Sequence, residues 1–441
     1  MLFENITVID ENFEAATGKY VGVQGDTIAY IGDAAPEDAA AYGTAYDGAG
    51  KLLMPAFYNT HAHTPMTLLR GYAENQPLQQ WLNDTVWPFE GKMSFDHNYW
   101  GCVLAQAEMA RYGVVSYTDM YYATIERAKA TLDAGMKANH CDGGTMCFVD
   151  TDYDTLPVAK VNEQLFSEYQ GAGNGRVKVD MCIHAEYTTP ESMIRRVVEE
   201  AVKHECGIHL HLSETQSEHE ECKGRHDGLT PTAYLDSCGV FDVPVNAAHC
   251  VWVEPDDIAI LAAKGASVSL NPASNMKLAS GFAPVQQMLD AGVNLTIGTD
   301  GMASNNTHNI LQSAYLLACG QKGHNLDPTL VPAKDVLKMM TVNGARAQGR
   351  GDCGVIAEGM KADLVVMDID TPWMKPVHDL VVNIVYSANA ADIVLTMCDG
   401  QVIYDNGAFP TIDVEQAAAE CERSVGEILA ALAAGDGEQE A

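Results

Sequence analysis

Two histidines one residue apart, His61 and His63 in THAHTP, are the first pair along the chain that could share an ion. Alternate residues of a strand project to the same side, so both imidazoles can reach one centre. Further along stand His184 in CIHAEY, His211 and Glu214 in HLHLSET, His249 in AAHC and Asp300 in GTDG. A third histidine and a carboxylate complete a nitrogen–oxygen donor set suited to zinc or a similar divalent ion, with a position left for water. Such an ion acidifies water until hydroxide is available near neutral pH. Residues of these types in this order therefore point to hydrolysis. The His-x-His spacing alone is a weak signal, and its weight comes from where the other polar residues fall.

They fall at the ends of strands. Apolar, β-branched runs recur at 53–63, 114–120, 135–144, 177–187, 207–214, 243–250, 266–275 and 293–300. Helical patterns lie between most of them, among them NYWGCVLAQAEMARYG, ESMIRRVVEEAVKH and EPDDIAILAAKG. Strict strand–helix alternation implies a parallel sheet, and eight repeats in about 250 residues is the size of a TIM barrel. His61, His63, His184, His211, Glu214, His249 and Asp300 would then all open on the C-terminal face, where barrels build their sites. The short, turn-punctuated strands at the two chain ends are expected to pair with each other. The fold class is thus α/β, a (β/α)8 TIM barrel with a small β-sandwich domain formed by both chain ends. The expected limits are 1–53 and 354–412 for the β-sandwich, 54–353 for the barrel, and 413–441 for a C-terminal helix and acidic tail.

Composition narrows the partners. Asp and Glu number 60 against 26 Lys and Arg, a formal charge of −34, which repels nucleic-acid backbones and anionic membranes. No apolar run approaches the roughly 20 residues of a membrane span. The 12 cysteines include no CxxC pair and read as free thiols in a reducing compartment. MLFENITVIDE carries acids where a signal peptide needs basic and then apolar residues. The expectation is a cytoplasmic protein acting on a small molecule, with no nucleic-acid or membrane partner.

Several long motifs carry a resemblance: PAFYNTHAHTPMTLLRG, WLNDTVWPFE, HLHLSET, AHCVWV, NPASNMKLASGFAPV, GTDGMASNN and PTID. In these the sequence resembles the amidohydrolase superfamily, and within it the 5-methylthioadenosine/S-adenosylhomocysteine deaminases, over nearly the whole chain. The resemblance implies that His61, His63, His211 and Asp300 bind one divalent ion, usually zinc, with Fe2+ or Mn2+ as alternatives. It implies catalytic roles for Glu214, His249 and Asp300. It places Trp81, Glu90, His184, Glu214 and Asp300 against the nucleoside, and a homodimer or higher homo-oligomer is consistent with it. The implied reaction is hydrolytic deamination of an adenine ring. Two-metal relatives resemble one another in a modified lysine ending strand four. Here that strand ends in His184, with Lys178 near its start, so one ion is expected.

His209 shares a strand face with His211 but is read as structural. The remaining histidines match no site motif. In the resembling deaminases that accept a homocysteine tail, an arginine follows strand three. Here the stretch reads GMKANHCDGGTM, with Asp142 near that place, so S-adenosylhomocysteine is expected to be a poorer substrate than methylthioadenosine, 5′-deoxyadenosine or adenosine. Two other readings remain: a hydrolase of another heterocycle (guanine, 8-oxoguanine or an s-triazine), and an inactive barrel acting as a binding protein.

Overall fold

The computed structural model describes residues 1–436. Its first strands are β1 (Leu2–Ile9), β2 (Ala15–Gln24), β3 (Thr27–Gly32), β4 (Ala45–Asp47) and β5 (Lys51–Pro55). The barrel strands follow as β6 (Phe57–His63), β7 (Val114–Tyr121), β8 (Lys137–Asp142), β9 (Val177–Val179) and β10 (Met181–Ile183). They continue as β11 (Ile208–Leu212), β12 (Val245–His249), β13 (Ser267–Leu270), β14 (Asn294–Ile297) and β15 (Asp300–Gly301). The chain closes with β16 (Leu364–Asp368), β17 (Ile393–Cys398), β18 (Gln401–Asp405) and the helix Val414–Asp436. The acidic tail expected over 435–441 lies outside the described residues from 437 onward; residues 435 and 436 belong to the helix.

The barrel strands pair in parallel in two half-sheets, β15-β6-β7-β8-β9 and β10-β11-β12-β13-β14. Both breaks fall within single expected strands. At Asp180 the chain changes neighbours: its N–H donates to His140 O, whereas the next N–H, of Met181, donates to Gly207 O. At the other junction Gly298 N donates to Leu270 O and Thr299 N to His61 O. The fourth and eighth strands therefore each belong to both half-sheets. Helices such as Phe95–Arg111, Thr124–Ala134, Glu191–His204, Pro255–Ala263 and Ile310–Asn325 follow the strands. Because both faces of a parallel strand are covered, every residue of β6, β7, β8, β11 and β12 is buried.

The expected first strand, 53–63, is divided. Its start belongs to β5 and its end to β6, with Ala56 between them. β5 pairs antiparallel with β16, from Leu364 opposite Pro55 to Asp368 opposite Lys51, and this ladder sews the two chain ends together. All the terminal strands join in one sheet, ordered β18-β17-β16-β5-β1-β2-β3 with β4 on β1. Its period-two alternation serves two cores. Leu52, Met54, Val365 and Met367 enter the barrel's cluster. Leu53, Leu364, Val366 and Met397 enter a separate one with Phe3, Ile6 and Val21. The C-terminal helix packs Cys421 and Ile428 against Leu69, Trp81, Val86 and Phe89, and so backs the segment carrying two expected substrate contacts.

No helix among the described residues is long and apolar enough to cross a membrane. All 12 cysteines are free; Cys319 is exposed, Cys147 half-buried and the others buried.

Candidate active site

The strand ends bring together the residues that the sequence singled out. His63, His184, His211, Glu214, His249 and Asp300 line one cavity of about 770 Å³, together with Trp81 and Glu90. His61 lies beneath it, fully buried. Its Nε2 stands 3.4 Å from Asp300 Oδ1, and His63 Nε2 stands 3.2 Å from the same oxygen. His211 Nε2 lies 3.4 Å from His63 Nε2. The backbone is left-handed at Ser213 (φ 46°), His249 (φ 74°), Cys250 (φ 48°) and Asp300 (φ 63°), a conformation non-glycine residues adopt at a cost. All four flank or form strand ends.

Hydrogen bonds decide which imidazole nitrogen is free. His63 Nδ1 is 2.5 Å from Met120 O and His211 Nδ1 is 2.8 Å from His184 O. A carbonyl only accepts, so both Nδ1 atoms carry protons and both Nε2 atoms present lone pairs. His209 Nδ1 donates in the same way to Asn246 O at 2.8 Å. Its Nε2, 2.8 Å from His61 Nδ1, must then accept, which leaves the lone pair of His61 on Nε2. That atom is buried without a hydrogen-bond partner. Burial lowers His61 to a pKa of about 4 and holds His211 well below its ordinary range, so both stay neutral, as ligands must. Burial opposes ionisation of Asp300, but the imidazoles of His61 and His63 beside it favour the carboxylate and hold its carboxyl well below the usual range. Three converging nitrogens and one carboxylate fit a divalent ion of the zinc type. His209 has the structural place read for it, orienting His61 from behind.

Ser274 Oγ donates to Asp300 Oδ2 at 2.5 Å, Ser304 Oγ to the same oxygen at 3.1 Å, and Gly301 N to Oδ1 at 2.8 Å. His249 Nδ1 is 2.8 Å from Asn275 Oδ1, and its Nε2 faces Glu214 Oε2 at 3.8 Å. The Glu214 side chain is 12% exposed, and burial pushes its carboxyl above the usual range. None of Ser274, Asn275 and Ser304 was singled out from sequence, although NPASN and ASNN lie within the quoted motifs.

The far wall is Leu78, Trp81, Leu82, Val86, Trp87 and Glu90, on a segment whose middle, Trp81–Val86, winds as a π-helical turn. Trp81 is 5% exposed and its indole N–H is buried without a partner. Glu90 Oε1 accepts from Tyr121 OH at 2.6 Å, and burial pushes Glu90 up to about 7. His184 Nδ1 pairs with Thr188 Oγ1 at 3.1 Å, leaving Nε2 for the cavity.

Two expectations need a structural comment. Lys178 is far from the ion site, its Nζ donating to Gly349 O at 2.6 Å at the opposite end of its strand. Asp142 does not face the cavity as expected. It is buried in the wall, accepting from Thr124 Oγ1 at 2.5 Å and from Gly144 N at 2.9 Å. Its short side chain caps the turn after β8, and only the following Gly143 reaches the cavity.

Residues 52–403 match the amidohydrolase family, most of the chain. The chain belongs to the amidohydrolase family. It is a hydrolase dependent on a divalent metal. A 5-methylthioadenosine/S-adenosylhomocysteine deaminase from Dictyoglomus thermophilum is 41% identical over 383 residues, covering 87% of this chain and 89% of its own. The crystal structure of an adenosine deaminase from Xanthomonas campestris with bound zinc superposes with a TM-score of 0.90 at 28% identity, covering 97% of this chain and 98% of that one. An atrazine chlorohydrolase from Arthrobacter aurescens in complex with zinc gives a TM-score of 0.87 at 21% identity, covering 96% and 99%, a likeness of fold.

Proposed function

We propose that this amidohydrolase deaminates the adenine ring of a nucleoside, releasing ammonia and leaving the corresponding inosine. The observation that carries the reading is a buried, protonatable Glu214 beside a three-histidine, one-carboxylate donor set, in a cavity whose opposite wall offers Trp81 and Glu90. His61, His63, His211 and Asp300 would hold the ion, with zinc the best match to the donors. When bound, a divalent ion there supplies the Lewis acidity that makes water nucleophilic near neutral pH.

The chain's own groups carry the rest. Asp300, whose carboxyl is held well below the usual range, accepts the proton that water loses as its oxygen bonds to C6. Glu214, its carboxyl raised by burial, gives its proton to the adjacent ring nitrogen, so the electrons displaced from the C=N bond settle on a neutral atom. His249, whose Nδ1 is turned onto Asn275, accepts at Nε2 from the hydroxyl of the tetrahedral adduct. The proton held by Asp300 passes to the exocyclic amine, the C6–N bond breaks and ammonia leaves. As the C6–N bond breaks, the C6 hydroxyl loses its proton through His249 to Glu214, the ring nitrogen keeps its own proton, and C6 becomes the carbonyl of the inosine, so both carboxyls end as they began. His184 contacts the purine edge. The unpartnered Trp81 N–H donates to a nucleoside acceptor, and the Glu90 carboxylate takes both ribose hydroxyls in two charge-assisted bonds. Ammonia release from adenosine, 5′-deoxyadenosine and methylthioadenosine by zinc-loaded protein tests the reading. Activity on guanine or triazines with none on adenine nucleosides overturns it.

Glu90 sets a pH dependence. Its carboxyl titrates at about 7, so it is neutral below and ionised above that point, and only the ionised form accepts both hydroxyls. The KM for adenosine is expected to rise on the order of tenfold as pH falls from about 8 to about 6, the change in carboxylate fraction for one group titrating between them. Glu90→Gln flattens this limb. A 2′,3′-dideoxynucleoside shows no such dependence with the unaltered enzyme; an equal dependence would exclude Glu90 from the ribose.

The 5′ substituent meets an apolar wall. Among the described residues no Lys or Arg lines the cavity, and Lys277, next to the lining residue Leu278, is committed to Glu74 at 2.7 Å and Ala303 O at 3.2 Å. A homocysteine carboxylate would lie there unpaired, a penalty of about 3 kcal/mol or on the order of 100-fold in kcat/KM. S-adenosylhomocysteine is therefore expected to be turned over about that much less efficiently than methylthioadenosine. This retains the expectation from sequence and the part of its cause that lay in a missing arginine, and drops the part that lay in Asp142, whose carboxylate is turned into the wall. Equal kcat/KM values for the two nucleosides would contradict it.

A further inference from the structure

The reading above makes Glu214 the proton donor, yet little holds its side chain. Ser280 Oγ donates to Oε1 at 3.2 Å, and His249 Nε2 is 3.8 Å from Oε2. Its position must come from the backbone. That backbone is a tight turn after β11, entered through Ser213 in the left-handed region. Such a turn points successive N–H groups into one concavity that binds an anion. Here a side chain of the protein fills it. The Glu218 carboxylate accepts from Ser213 N at 3.0 Å through Oε1, and from Glu214 N at 2.7 Å and Thr215 N at 3.4 Å through Oε2. Thr215 Oγ1 accepts reciprocally from Glu218 N at 3.2 Å, closing the capping box of the helix Gln216–Arg225. The carbonyl of Ser213 is held from the other side by Val251 N at 3.1 Å and Trp252 N at 3.0 Å.

We infer that Glu218 is the positioning residue for Glu214, clamping the turn 213–215 so that the Glu214 carboxyl points at the ring nitrogen to be protonated. Among the described residues Glu218 has no Lys or Arg partner, so an ordinary structural ion pair does not explain its burial; only the three N–H donors compensate it. Burial, and then the nearby Glu214, push its carboxyl up to about 7. Acid catalysis tolerates little misplacement, since an error of about 1 Å can cost on the order of 100-fold.

The inference rests on Glu214 as the acid and is tested apart from it. Glu218→Ala is expected to lower kcat for adenosine on the order of 100-fold while KM changes less than about threefold, with bound metal unchanged. Glu218→Gln keeps an acceptor oxygen for part of the clamp and is expected to recover kcat to within about tenfold of the unaltered enzyme, on the same geometric argument. In a Glu214→Gln background, Glu218→Ala should add almost nothing, because a group acting through Glu214 has nothing left to position. Metal content and the thermal midpoint of each variant separate misfolding from misplacement. An inactive Glu214→Gln enzyme beside a fully active Glu218→Ala enzyme would overturn this inference alone. An additive loss in the double variant would overturn it too. An active Glu214→Gln enzyme would instead overturn the mechanism on which it stands.

Discussion

Glu214→Gln is expected to lower kcat for adenosine by on the order of 10³–10⁴-fold, with KM and bound metal little changed. The amide is nearly the same size, and it can still accept from Ser280 Oγ as Glu214 does now. What it loses is an acidic proton. Attack at C6 pushes an electron pair onto the ring nitrogen, and without a proton there the adduct carries an anion inside a cavity lined by Met66, Leu82, Val86 and Met120. Burial makes Glu214 suitable, because it raises the carboxyl and so favours the proton-bearing form. The same burial makes an unprotonated ring anion costly. Steady-state kinetics with metal analysis on the purified variant decide the matter. A variant retaining more than about a tenth of kcat would remove Glu214 from the chemical step, since positioned acids contribute at least 10²-fold.

The convergence of the expected donors was legible in sequence because it follows two strong regularities: period-two projection along a strand and the opening of barrel strands at one face. His61 and His63 in β6 and His211 in β11 follow both. Other features were not, for physical reasons. The run 53–63 looked like one strand because Leu53 and Ala62 are equally buried, and burial does not say in which sheet. Only the pairing of β5 with β16, more than 300 residues away, divides it. Asp142 was assigned to the cavity by position along the chain, yet the donors that turn its carboxylate away, Thr124 Oγ1 and Gly144 N, depend on how the segment closes on itself. The role of His209 hung on a hydrogen bond to a residue 148 positions away. Glu218 was a missed opportunity, because Thr215 and Glu218 have the spacing of a capping box and that motif places a carboxylate under the turn carrying Glu214.

Removing the divalent ion is expected to abolish deamination, leaving under about 1% of turnover, because water at neutral pH is then a poor nucleophile with a pKa near 15.7. It is also expected to lower stability. His63 Nε2 and His211 Nε2 stand 3.4 Å apart, each Nδ1 already committed to a backbone carbonyl, and His61 Nε2 is buried with no hydrogen-bond partner in the protein, so an ion is what these lone pairs have to bind. An ion that binds only the folded chain adds about 4 kcal/mol when present at a thousandfold its dissociation constant. Chelation followed by calorimetry should therefore lower the thermal midpoint, and stoichiometric Zn2+ should restore both the midpoint and activity. Fe2+ and Mn2+ in parallel identify the ion that serves best. His209→Ala separates ligand from support. It removes the acceptor that holds His61 Nδ1–H at 2.8 Å, so the His61 lone pair is no longer aimed, and metal affinity should fall on the order of 10- to 100-fold. Saturating metal should then return its activity to near the unaltered level, whereas His61→Ala or His211→Ala should not be rescued, because no concentration of metal replaces a missing donor. Rescue of all three alike would mean that the ion is held elsewhere and that the convergence of these imidazoles serves packing. Full turnover by the stripped protein would mean that Asp300 and Glu214 alone can activate water, a task for which one ionised and one protonated carboxyl supply too little acidity at C6.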